Sequence, residues 1–83
     1  MTEFFVKLHS MMQVKQFVTS ASAIPVDIDV ISGRYTVDAK SILGVCSLVE
    51  MERQPLTVRV YGEDVHGQTF LESVKDLAVE PEE

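Results

Sequence analysis

The chain has 83 residues, 46% hydrophobic and 24% charged, a composition that folds around one core and leaves little room for a large catalytic cleft. Its 13 acidic residues outnumber its 7 basic ones and give a net charge of -6. The bases, Lys7, Lys15, Arg34, Lys40, Arg53, Arg59 and Lys75, are scattered, so a phosphate backbone is repelled and nucleic acid is not an expected partner.

Residues Met1 to Lys7 lack the basic-then-apolar pattern of an export signal, and no apolar run approaches the ~18 residues of a membrane span. Neither a membrane nor export is therefore expected. Phe4, Val6 and Leu8 alternate with Phe5 and Lys7, which predicts a first strand. From Met11 the period changes: Met11, Val14, Phe17, Val18 and Ala21 recur at helical spacing. Ser10 followed by Gln13 fits a capping box, in which a hydroxyl accepts from an early helix amide and the Gln side chain reaches back. Pro25 closes the connection after this helix.

Val26, Ile28 and Val30 alternate with Asp27 and Asp29, a strand with a β-branched row inward and acids outward. Ser32-Gly33 predicts a hairpin turn, and Arg34 to Ala39 the return strand. A second helix is expected from Ser41 to about Glu52, bounded by Pro55. Leu56, Val58 and Val60 give another strand, ending at Gly62, with Glu63 to Gly67 as a polar connection. The last helix is expected from about Gln68, with Phe70, Leu71, Val74, Leu77 and Ala78 inward, and Pro81 to Glu83 should fray. The order βαββαβα, without internal repeats, predicts one α+β domain over 1–83 with antiparallel pairing and helices on one face.

Within that order, Asp38-Ala39-Lys40-Ser41-Ile42-Leu43-Gly44-Val45-Cys46-Ser47-Leu48 resembles the regulatory-serine segment of HPr, the histidine-containing phosphocarrier of the bacterial sugar phosphotransferase system. The likeness extends through Leu56 to Asp64, with its Tyr-Gly-Glu-Asp strand end, and through the alternation of Val26 to Val37. The resemblance implies an HPr-like open-faced β-sandwich, with four antiparallel strands and three helices on one side. It further implies an active-site loop running Gly, apolar residue, His, any residue, Arg, Pro. The chain departs from that loop. Counting back from Ser41 without gaps puts Ser10 in place of the phosphoryl-accepting His, Met12 in place of the Arg and Gln13 in place of the Pro. Keeping the first strand in phase also requires a connection shorter by about three to five residues.

An imidazole at a helix N-terminus can take a phosphoryl group that the helix amides and dipole stabilise, and a guanidinium adds charge compensation. Met12 supplies no charge, and a serine phosphate ester is too stable to pass on readily. The expected function is therefore a non-carrier regulatory or protein-binding paralogue, cytoplasmic, with no intrinsic catalytic site and no cofactor. One alternative is an active carrier accepting phosphate on His9, one residue before the cap. Another is a structural, oligomer-forming module using the open sheet face around Asp27, Asp29, Thr57 and Arg59.

The resemblance makes Ser41 the candidate for regulatory phosphorylation, where the dianion would sit on a helix N-terminus next to Lys40. As a helix cap alone it would satisfy an amide. Met11, Met12, Ile42, Leu43 and Cys46 form the candidate partner-binding patch, because a two-turn helix apolar on more than one side cannot bury all of it. The partners implied by the resemblance are an HPr kinase, enzyme I or a transcriptional regulator. Cys46, the only cysteine, cannot form an internal disulfide and reads as a small hydrophobe. Asp27 and Asp29 without a third ligand read as solvated sheet surface, and His66 as part of a surface turn.

Overall fold

The computed structural model describes residues 1–51 and 54–80. Five strands and three helices follow in the order β1 (Thr2–Val6), α1 (Met11–Ser22), β2 (Ile28–Ser32), β3 (Tyr35–Asp38), α2 (Ile42–Glu50), β4 (Leu56–Val60), α3 (Asp64–Ser73) and β5 (Ala78–Val79). The strands form one antiparallel sheet in the order β3-β2-β4-β1-β5.

Register explains which residues meet. Val37, Val30, Val58 and Phe4 stand in one row across β3, β2, β4 and β1. With Ile28, Val60, Leu56 and Val6 they form the inner face of the sheet, where β-branched side chains pack well. The helices cover that face with Val14, Phe17, Ala21, Val45, Leu48 and Phe70, all buried. Phe70 of α3 sits at the centre of an aromatic trio, its ring centroid 5.3 Å from Phe17 of α1 and 5.8 Å from Phe4 of β1, both pairs tilted. Gly67 allows this approach. A Cβ there would overlap the Thr2 side chain, so α3 rests on β1 only because that position is bare.

The chain turns where the sequence says it should at Gly33, whose φ of 59 suits the β2–β3 hairpin. Four boundaries differ from expectation. The first and second strands are shifted, β1 toward the N-terminus and β2 away from it, relative to the apolar alternation. The polar stretch at Asp64 to Gly67 is the first turn of α3 and not a connection, an exposed turn being polar whether or not it is helical. At the other end, Val74 to Ala78 leave the helix: Leu77 donates to the Val74 carbonyl, Lys7 donates to the Leu77 carbonyl, and Ala78 and Val79 add a short fifth strand beside Val6 and Phe5. The expected end of the second helix near Glu52, the base Arg53 and the fraying of 81–83 lie outside the described residues.

Removing the ring at the middle of the trio leaves a cavity facing both helices. Phe70→Ala is expected to cost about 3–5 kcal/mol of a total stability of roughly 4–12 kcal/mol, read as a lowered urea midpoint by circular dichroism.

Candidate functional site

Residues 7–10 connect β1 to α1. This short connection is held at several points. Ser10 is the N-cap of α1 with extended backbone, and its Oγ accepts from the Gln13 amide at 3.2 Å. Gln13 reaches back as expected of a capping box, but its Oε1 accepts from the amide of His9, at 2.6 Å, one residue before the cap. Leu8 is buried, and Gln54 clasps its backbone: the Leu8 amide donates to Gln54 Oε1 at 3.0 Å, while Gln54 Nε2 donates to the Leu8 carbonyl. The peptide bond from Gln54 to Pro55 is cis. Both side chains at the end of this connection, His9 and Ser10, are exposed.

Ser41 caps α2 in the same manner. Its Oγ accepts from the Gly44 amide at 3.2 Å, and its side chain is half-buried. Gly44 is needed close by, since a Cβ on it would come within 3.1 Å of Val37 Cβ and 3.3 Å of the Ser41 hydroxyl. Lys40, expected beside a modified Ser41, has its ammonium on the Ile24 carbonyl at 2.7 Å, so that cation is engaged at the end of α1.

Four of the five residues of the candidate partner patch are exposed, and the fifth, Cys46, is half-buried between the helices. Met12 and Leu43 are the most open, each 79% exposed, and Met11 and Ile42 also face solvent. Met11 and Cys46 join the two helices, Sγ to Sδ at 3.7 Å. All four methionines of the chain are exposed, a reversal of the usual burial of this residue.

The family-model comparison matches residues 7–78 to the family described as PTS HPr component phosphorylation site. The chain belongs to the PTS HPr family. No curated protein matches it. Among solved structures it is similar to HPr-C-His from Thermoanaerobacter tengcongensis, with 23% identity and a TM-score of 0.69 over 92% of this chain and 93% of that one. It is also similar to phosphocarrier protein HPr from Bacillus anthracis, with 23% identity and a TM-score of 0.67 over 92% and 93%. The histidine-containing phosphocarrier protein of a Mycoplasma follows, with 20% identity and a TM-score of 0.64 over 90% and 86%. At these identities the structural likeness establishes the HPr fold: three helices against one side of an antiparallel sheet, here with a fifth, two-residue strand at its edge.

The remaining candidates are placed apart from the HPr-like helix surface. Asp29, Thr57 and Arg59 lie on the sheet face away from the core, with Asp27 just ahead of β2. Arg59 Nε donates to Glu3 Oε2 at 2.7 Å, and hydrogen bonding to Tyr61 first and Glu3 second raises the guanidinium above its ordinary pKa. His66 sits in the first turn of α3 and not in a loop; it is half-buried, and its Nδ1 has no hydrogen-bond partner among the described residues. Among the described residues no three His, Cys, Asp or Glu side chains are grouped to hold a metal ion. No described helix is long and apolar enough to cross a membrane.

Gln54 was not visible from sequence, because its partner is 46 residues away and an isolated glutamine carries no periodic signal. Gln54→Ala leaves the part-buried Leu8 amide and carbonyl unpaired and is expected to destabilise the protein by about 1–3 kcal/mol. Ser10→Ala removes a cap and should cost about 1 kcal/mol, read in the same denaturant titrations.

Proposed function

We propose that this HPr-family protein is a regulatory or protein-binding member that does not carry phosphate through the usual loop. The observation that carries this reading is at the start of α1, where the capping side chain is the alcohol of Ser10, hydrogen-bonded to the Gln13 amide. By the ungapped count from Ser41, that cap occupies the place of the family's imidazole, and Met12 the place of its guanidinium. An alcohol forms a stable ester, and a thioether offers no charge to a phosphoryl oxygen. HPr proteins act through protein partners, and the exposed Met11, Met12, Ile42 and Leu43 with Cys46 supply an apolar, deformable surface for one. An HPr kinase, enzyme I and a transcriptional regulator are the partner types that suit it.

Ser41 is the proposed site of regulatory phosphorylation. A dianion there would sit on the N-terminal amides of α2, now capped by the Ser41 hydroxyl itself. Its half-buried state means that a kinase must engage the α2 start closely.

A second reading, a carrier accepting phosphate on His9, is favoured by the exposure of that ring one residue before the α1 cap. Incubation with enzyme I and phosphoenolpyruvate separates the two. The proposed function predicts no acid-labile phosphoryl adduct; an adduct that disappears in His9→Ala would establish the carrier instead. Incubation with ATP and a bifunctional HPr kinase should give an acid-stable phosphate on the wild type and none on Ser41→Ala. Persistent failure to label the folded wild type would remove the kinase branch.

A further inference from the structure

On the side away from the helices the strands present two registered rows. Thr36, Ile31, Thr57, Phe5 and Val79 run across all five strands and carry no charge. Beside them run Asp38, Asp29, Arg59 and Glu3. Arg59 stands opposite both Glu3 and Asp29 and gives its Nε to Glu3 at 2.7 Å, while on the other side of Asp29 the carboxylate of Asp38 stands directly opposite. Among the described residues the donors on these two carboxylates are neutral: the Tyr61 hydroxyl to Asp29 at 3.0 Å and the Lys40 amide to Asp38 at 2.9 Å. Like charges directly opposed across a sheet are destabilising. They border a depression of about 350 Å³ that Asp27, Ile28 and Tyr61 complete.

We propose that this open sheet face docks a cationic amphipathic segment of a partner protein, with Lys or Arg side chains on Asp29 and Asp38 and apolar side chains on Ile31 and Phe5. Charge selects the occupant. A second copy of the chain would press the same carboxylates together with Arg59 already bonded to Glu3, and burying the excess acids costs more than covering the half-exposed Ile31 and Phe5 returns. Nucleic acid and anionic lipid are repelled for the same reason. A basic segment relieves the opposed aspartates and covers the apolar row in one event. This surface is on the opposite side of the sheet from the α1 and α2 patch, so it stands independently of the function proposed above.

The test is an NMR titration of the 15N-labelled full chain with an amphipathic lysine–leucine peptide at low salt. Saturable shifts should centre on amides of β2, β3 and β4. Asp29→Asn with Asp38→Asn should weaken binding at least tenfold, whereas Asp64→Asn, an exposed acid on α3, should leave it unchanged. Thr57→Lys keeps both aspartates, adds a cation to the same face and should give a comparable loss, which covers the case of a double variant that does not fold. Absence of binding, shifts centred on α1 and α2, or equal weakening by Asp64→Asn would overturn the proposal. So would concentration-dependent self-association through the sheet face in sedimentation.

Discussion

The constraint on which the site depends is the anchoring of the short connection between β1 and α1. Gln54 holds the Leu8 backbone from across the molecule, Gln13 holds the His9 amide, and Ser10 holds the Gln13 amide. Each such bond contributes about 1 kcal/mol, but together they fix the path of the chain as it leaves the sheet and enters the helix. The side chains at the start of α1 are thereby set, and the amides of His9 and Gln13 are already taken by the protein's own oxygens. In a family whose chemistry uses a helix N-terminus, those two engaged amides are the geometry on which the proposed non-carrier function rests.

The two faces of the molecule divide the remaining surface chemistry. The helix side carries exposed thioethers and aliphatics on a core that uses no methionine. A partner can press on Met12 and Leu43 without disturbing the packing of Phe17 and Phe70 beneath. The sheet side carries carboxylates and a half-exposed apolar row, fixed by strand register and therefore rigid. The net charge of -6 is thus unevenly distributed: the sheet side sets Asp29 opposite Asp38, while the exposed Met12 and Leu43 of the helix side are apolar.

Much of the fold was legible because local patterns and tertiary demands agree. The alternations at Val26 to Val30 and Leu56 to Val60 marked strands since one face is buried throughout, although the register moved the bounds of β2. Ser10 and Ser41 were readable as caps because a cap and its amide are three residues apart. The α3 start was hidden, its first turn being as polar as a loop, with Val65 left 61% exposed. The fifth strand was hidden for the opposite reason: Val74, Leu77 and Ala78 continue a helical spacing, with no Gly or Pro to mark the turn. What ended the helix was pairing with β1, a contact between the two ends of the chain. At the site, the opposed Asp29 and Asp38 required register, and Gln54 required the fold itself.

The closing of the α1 start is tested most directly by titrating inorganic phosphate into the 15N-labelled protein while following the amides of residues 9–13. The account predicts that the His9 and Gln13 amides stay in place, since oxygens of Gln13 and Ser10 already occupy them. Saturable phosphate-dependent shifts at those two amides, accompanied by a change in the His9 ring resonances, would contradict it.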